Sequence, residues 1–336
     1  MRAVVCDTPG DLRLIERPRP EAGPGEVLLR IRRMGVCGTD LHIFQGKHPF
    51  LEYPRVMGHE LSGEVAAAGR GATLAEGTPV YVMPYLTCGR CIACRQGKTN
   101  CCTSLQCLGV HCDGGMAEYL ALPEAVVFPT DGLPLDQAAL VEFLAIGAHA
   151  ARRAEIRGGE RTLVVGAGPI GIATALFARA RGAEVTMLDS RADRLGFCRD
   201  VLGLGEGLAA DGDTRERLAE RTGGDFHDLV FDATGNTAAM EQSFGWVAHG
   251  GTLVLVGVVR TDLRFADPDF HRRELTLKGS RNATIQDFRE VLAAIHAGNI
   301  PVARLITHRA GLAEAPERFP DWIRPEAGVV KAMIEL

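Results

Sequence analysis

The sequence predicts an α/β protein of two domains, an irregular β-barrel followed by a parallel sheet covered with helices. Three observations carry that expectation. Up to about residue 145 the chain reads as short strands between Gly/Pro turns, and from residue 162 apolar strands alternate with helical segments. At 336 residues it is also too long for one ordinary core.

In the first part the strand candidates are residues 26–32, 61–67, 79–83 and 116–120. Pro24-Gly25, Gly69 to Gly71 and Gly114-Gly115 punctuate them, as turns in a barrel-like domain do. Residues 135–154 are rich in Ala and Leu and predict a helical stretch. The strands of the second part are residues 162–165, 184–189, 228–232 and 252–257, with 275–279 as the last. Their near-continuous apolar runs suit strands buried on both faces. The tail carries a helix over residues 287–297 and a short strand over 328–334.

Bulk properties exclude several classes. A hydrophobic content of 46% with 24% charge is that of a soluble globular protein. The net charge of -5 and the lack of a basic run argue against a nucleic-acid partner. Residues 162–178 are uncharged, but they contain three glycines and a proline and are short for a membrane span. The start lacks the apolar core of a secretory signal. Ten cysteines, at least four better explained by metal than by disulfides, point to a reducing, cytoplasmic compartment.

Those four are Cys88, Cys91, Cys94 and, after a seven-residue gap, Cys102. Cysteines three apart close strained disulfides, whereas four thiolates suit tetrahedral zinc at about 2.3 Å. Four sulfurs leave no open position, so residues 86–104 or so are expected to form a closed, structural zinc lobe.

Gly166-Ala167-Gly168-Pro169-Ile170-Gly171 follows a predicted strand and opens a predicted helix. In that context Gly166 makes a tight turn, Gly168 admits a pyrophosphate, and Gly171 lets helix and strand pack closely. The helix N-terminus offers oriented N–H groups to the phosphates. Asp189 ends the next strand, 18 residues beyond Gly171, where a carboxylate accepts from both ribose hydroxyls and repels a 2'-phosphate. NAD is therefore expected over NADP, although Arg191 beside it would admit some NADP.

Upstream lie Cys37-Gly38-Thr39-Asp40-Leu41-His42 and Gly58-His59-Glu60. Taken alone, His59 fits a zinc ligand or a hydrogen-bonded core histidine. With these motifs, the cysteine lobe, Glu142 and the glycine-rich turn in this order, the whole chain resembles the zinc-dependent medium-chain alcohol and polyol dehydrogenases. The resemblance implies a GroES-like catalytic domain over residues 1–146, a Rossmann domain over 147–280, and a return to the catalytic domain over 281–336.

It also implies two zinc ions per chain, with Cys37, His59 and Glu142 holding the catalytic one. A glutamate in the third position is similar to the sorbitol-dehydrogenase and threonine-dehydrogenase branch. That branch has Glu-Pro where this chain has Glu142-Phe143. Glu60 is expected either behind the ligands or as an alternate ligand. Thr39 would take the proton of a zinc-acidified hydroxyl and His42 would pass it through the cofactor ribose towards solvent. A helix cap and a surface histidine are the plainer readings of that pair. Arg194 is placed near the adenosine ribose, and Thr234 and Val256 near the nicotinamide half.

Residues 105–115, with His48-Pro49 and Arg281-Asn282, look like sugar-acid oxidoreductases of the L-galactonate 5-dehydrogenase type. His48, His111, Arg281 and Asn282 would then line a polar substrate pocket. Arg281 suits a substrate carboxylate, a cofactor phosphate or an acidic side chain alike. The expected activity is hydride transfer from a secondary hydroxyl of a sugar acid or polyol to NAD by a homodimer or homotetramer. L-threonine oxidation, general secondary-alcohol oxidation, and a non-catalytic dinucleotide-binding protein are the alternatives.

Overall fold

A computed structural model describes residues 1–48 and 51–336, so Pro49, part of the His48-Pro49 motif, lies outside the described residues. The chain divides into two compact units, Met1–Glu142 with Val302–Leu336, and Phe143–Pro301.

The first unit is built on the long strand Glu26–Val36, whose alternating Val27, Leu29 and Ile31 are buried. It pairs antiparallel with Glu60–Ala68, Tyr119–Pro123 and Lys331–Glu335. Pro79–Val82, Val127–Pro129 and Ile306–Gly311 complete that sheet, and Arg2–Thr8, Asp11–Glu16 and Arg55–Val56 make a second. Phe44, Phe319 and Trp322 close one side of the core in edge and tilted ring contacts.

Register matters here more than length. Gly35 lies opposite Glu60 on one side and opposite Met333 on the other, so residues far apart in sequence meet at one end of the central strand.

The expected strand over 116–120 forms instead at Tyr119–Pro123. The N–H groups of Gly114, Gly115 and Met116 donate to the carbonyls of Val56, Gly58 and Met57, which takes them out of the ladder. A Cβ on Gly109 or Gly114 would fall 2.5 or 2.2 Å from the backbone of Gly58, so these glycines let two loops pack backbone to backbone. That packing braces the loop that carries His59.

The second unit holds six parallel strands in the order Leu208–Ala209, Glu184–Asp189, Arg161–Val165, His227–Asp232, Val247–Leu255, Thr276–Gly279. This is the doubly wound order, with the chain reversing direction of growth beside Arg161–Val165. The uncharged stretch after Thr162 is the central strand, a turn and the helix Pro169–Ala180, whose residues 171–178 are buried. Among the described residues no helix is long and apolar enough to cross a membrane.

Two boundaries differ from expectation. The helical stretch 135–154 breaks into Leu135–Ala138 and Val141–Ala154, and the second unit begins at Phe143. The return to the first unit comes at Val302, not at 281, because the helix Ile285–His296 belongs to the second unit. Its buried Asp287 accepts from Arg152 Nε at 2.7 Å and lies 3.0 Å from His149 Nδ1, which ties it to the helix Val141–Ala154. Burial works to raise the pKa of Asp287, but His149 and Arg152 outweigh it and hold the carboxyl well below its ordinary range.

Candidate metal centres and cofactor loop

The cysteine lobe folds around its own thiols. Tyr85–Leu86 pairs with Gln106–Cys107 at its base, and the short helix Ile92–Arg95 begins just after Cys91. The ligand atoms of Cys88, Cys91, Cys94 and Cys102 all lie within 4.8 Å of one another, and none of the four forms a disulfide. The Cys91–Cys94 and Cys88–Cys102 sulfurs are each 3.5 Å apart. Tetrahedral Zn–S bonds of about 2.3 Å require sulfurs roughly 3.8 Å apart, so this donor set fits zinc. Backbone N–H groups of Cys94 and Thr103 pull the Cys91 thiol down to about 5, whereas burial and the neighbouring thiols push that of Cys94 up to about 12.

A second group forms at the end of the central strand. Ligand atoms of Cys37, His59 and Glu60 lie within 4.8 Å of one another. Cys37 precedes the helix Gly38–Phe44, and Asp40 on its first turn accepts from the Cys37 N–H at 2.8 Å and the Gly58 N–H at 3.2 Å. One buried carboxylate thus fixes the backbone of both ligand-bearing loops. His59 is 5% exposed, yet its Nδ1 has no hydrogen-bond partner, and the Asp40 carboxylate stands 3.9 Å away. Burial works to lower the pKa of His59, but the charges of Asp40 and Cys37 outweigh it and raise it well above its usual value. An imidazole within ligand distance of a thiol, in negative surroundings, is a donor set that fits zinc.

Glu60 is fully buried and both its oxygens accept from Lys331 Nζ, at 2.6 and 2.8 Å. Gly35 leaves the space for it, since a Cβ there would lie 2.1 Å from Glu60 Oε2. Glu142, also buried, stands outside the trio and accepts a hydrogen bond from the Tyr85 hydroxyl. Burial raises the pKa of Glu142, and the charge of Glu60 adds to that. The Lys331 ammonium and the His59 imidazole thus share a largely buried place with a thiol and three carboxyls, a donor-rich setting that suits a divalent cation.

Lys331 and Tyr85 are the residues that sequence reasoning missed. A lysine in the apolar run Val329-Val330-Lys331-Ala332-Met333-Ile334 was a signal, because a buried ammonium needs a carboxylate. Nothing in the sequence marks Tyr85. Of the proton-relay candidates, Thr39 is half-buried and His42 exposed, both on the helix after Cys37. Thr39 is within that helix, not its cap.

In the second unit Gly166 turns with φ +97, Gly168 caps the helix Pro169–Ala180, and Pro169 and Ile170 are its first residues. A Cβ on Gly171 would fall 1.8 Å from the Gly166 carbonyl oxygen, so only glycine permits this approach. Asp189 accepts from the N–H of Ala167 at 2.6 Å and of Arg191 at 2.8 Å, which fixes its carboxylate against the glycine turn. Arg194 is buried nearby in sequence on the helix Ala192–Asp200. The Thr234 hydroxyl donates to the Asp232 side chain at 2.7 Å within its own turn, and the Val256 N–H donates to the Asp232 carbonyl at 2.8 Å, which joins the ends of two neighbouring strands.

His48 is half-buried and His111 exposed in the first unit, where His111 Nδ1 accepts from the Cys107 N–H at 3.0 Å. Arg281 is exposed and Asn282, with φ 49, half-buried in the second.

Residues 23–132 match the alcohol dehydrogenase GroES-like domain, and residues 169–297 match the zinc-binding dehydrogenase domain. The chain is 44% identical over 324 residues to L-galactonate-5-dehydrogenase of Escherichia coli K12, covering 95% of each protein. It is 36% identical over 322 residues to D-altritol 5-dehydrogenase of Agrobacterium fabrum, covering 94% of each. Among solved structures, the rspB short chain alcohol dehydrogenase of Escherichia coli CFT073 in complex with NADH is similar with a TM-score of 0.94. Its sequence identity is 28%, over 100% of this chain and 99% of that one.

Proposed function

Because the chain belongs to the zinc-dependent medium-chain alcohol and polyol dehydrogenase family, we propose that it oxidises a secondary hydroxyl of a sugar acid with NAD. The observation that carries this reading is the half-buried Cys37 thiol within ligand distance of the buried His59 imidazole, in a chain so similar to a sugar-acid dehydrogenase.

Cys37, His59 and Glu142 would hold the catalytic zinc, and Cys88, Cys91, Cys94 and Cys102 a structural one. Bound at the first site, zinc supplies Lewis-acid polarisation of a hydroxyl oxygen. Glu142 is preferred to Glu60 as the third ligand on charge. Glu60 is paired with Lys331 through both oxygens, whereas the hydrogen bond that holds Glu142 comes from the neutral Tyr85 hydroxyl, and the charge of Lys331 reaches it more weakly than it reaches Glu60. Thr39, half-buried beside Cys37, would take the substrate proton as it gives up its own hydroxyl proton to the cofactor ribose, and His42, exposed on the same helix, would pass that proton on to solvent. In the other unit the Gly166–Gly171 turn takes the pyrophosphate and Asp189 the adenosine ribose.

The test is a screen for NADH formation over L-galactonate, other aldonates, matching neutral polyols, L-threonine and butanol. Turnover of aldonates is expected; turnover of butanol or L-threonine alone would refute the substrate class. If Arg281 binds the carboxylate, Arg281→Lys should raise KM for the aldonate roughly tenfold and leave the neutral polyol nearly unchanged, since an ammonium lacks the planar fork. Equal losses on both would move Arg281 to the cofactor or the scaffold. NAD should outperform NADP, and Asp189→Ala should narrow the ratio by about tenfold or more, the loss of charged hydrogen bonds worth roughly 1.5–3 kcal/mol. A native preference for NADP would show that Arg191 outweighs Asp189.

A further inference from the structure

Two buried glutamates stand near the Cys37–His59 pair, and they are held by different donors. Glu60 gives both oxygens to the Lys331 ammonium, at 2.6 and 2.8 Å. Glu142 accepts through Oε1 from the hydroxyl of Tyr85, itself 3% exposed. Tyr85 opens the base of the cysteine lobe as half of the Tyr85–Leu86 strand, whereas Glu142 starts the helix Val141–Ala154. The contact therefore joins two segments 57 residues apart.

A glutamate side chain turns about three bonds, and a buried one without a partner would take whichever rotamer best shields its charge. A neutral hydroxyl fixes its direction without adding a positive charge of its own, and the two short carboxylate contacts of the Lys331 ammonium go to Glu60. An ammonium would cancel the charge that a metal requires. We propose that Tyr85 is a positioning residue that aims the Glu142 carboxylate at the metal, and that Lys331 keeps Glu60 from taking its place. The inference rests on the metal assignment made above. With the hydroxyl removed, Glu142 loses its direction and Glu60 becomes the competing ligand.

The experiment uses the full-length protein with zinc left in the cysteine lobe and cobalt exchanged into the other site. Metal affinity is read by chelator competition and ligand geometry by the visible spectrum of cobalt; neither depends on turnover. Tyr85→Phe keeps the ring and removes only the hydroxyl. It should weaken metal binding by about 10–100-fold, as loss of a partner behind a metal ligand does, and shift the cobalt bands. In a Glu142→Gln background the same change should add nothing, because its effect passes through the carboxylate. Adding Glu60→Gln to Tyr85→Phe should weaken binding further, whereas Glu60→Gln alone should leave the metal bound.

Equal losses from Tyr85→Phe with and without Glu142 would make Tyr85 a packing residue and overturn the proposal. An unchanged cobalt spectrum in Tyr85→Phe would do the same. Should that variant fail to fold, Glu142→Asp draws the carboxylate back from the hydroxyl and should give the same weakening and shift; native-like affinity and bands would overturn the proposal. Cys37→Ser separates the two levels of the reading. If it leaves the metal bound, the metal assignment falls and Tyr85 with it; if it releases the metal and Tyr85→Phe does not, only the role of Tyr85 falls.

Discussion

The two clusters of metal-ligating side chains are built in opposite ways. The lobe draws all four sulfurs from Cys88 to Cys102, and its geometry follows from turns and one short helix. The other draws on Cys37, His59, Glu60, Glu142, Tyr85 and Lys331, which meet only because strands pair in a particular register. A site of the first kind is expected to depend on its metal for its fold. The second has further support from hydrogen bonds and packing, through Asp40, Lys331, Tyr85 and the glycines that pack against Gly58. A local cluster stores its information in spacing, a dispersed one in the fold.

The largest effects should therefore come from the lobe. Removing one sulfur with Cys94→Ser should release a zinc and cost much of the lobe's stability, since structural zinc supplies roughly 10–16 kcal/mol of apparent binding free energy in small metal-folded units. Cys37→Ser should release the other zinc and abolish activity while the melting temperature stays near native. Elemental analysis and thermal unfolding check both. One zinc or none in carefully prepared native protein would break the comparison at its root, and a melting loss from Cys37→Ser equal to that from Cys94→Ser would show that both sites fold on their metal.

Next in size is Lys331→Met. Lys331 is 1% exposed and Glu60 fully buried, and burial's pull on the ammonium is more than offset by Glu60 and Cys37. Removing one partner of such a pair leaves a buried charge alone and should cost about 3–5 kcal/mol. Denaturant unfolding of Lys331→Met, with Glu60→Gln added to it, makes the test. Much of the loss should return in the double variant, because the stranded charge has gone. Full additivity would mean that the pair is not coupled and that packing alone frames this site.

The same contrast decides which features are legible in the amino-acid sequence. The lobe and the Gly166–Gly171 turn are legible because spacing within a short segment dictates their geometry. The parallel sheet of the second unit is legible from apolar runs separated by helical segments, whereas its two-residue edge strand Leu208–Ala209 is not. Cys37 and His59 are legible as candidates through their motifs, and Glu60 as a group behind them or an alternate ligand, but not the register that sets Gly35 opposite Glu60 and makes room for it. Tyr85 leaves no trace, since a tyrosine before a cysteine lobe is as good a packing residue as a donor. The boundary expected at 281 fails for the same reason: Asp287 reads as a surface acid on a helix until His149 and Arg152 are found against it. Residues 105–115, whose sequence suggests a mark of substrate, prove to include two glycines whose work is to brace the Gly58 backbone.

The smallest effect sharpens the comparison most. Gly35→Ala adds a single methyl, and its carbon would sit 2.1 Å from Glu60 Oε2 and 3.1 Å from Glu60 Cβ. The carboxylate cannot simply swing aside, because both its oxygens are held by Lys331. Overpacking of this kind should cost about 1–3 kcal/mol. In a Lys331→Met background Glu60 is released to turn away, so the same methyl should cost clearly less, a coupling that a double-variant cycle reads directly. The zinc of the cysteine lobe should be untouched in every member of the cycle, because the three atoms nearest the new Cβ all belong to Glu60. If Gly35→Ala costs the same with and without Lys331, the space beside Glu60 is set by the backbone of the central strand and not by the clamp. If it releases the lobe zinc as well, the two clusters are not independent, and the dispersed site shares the lobe's dependence on metal.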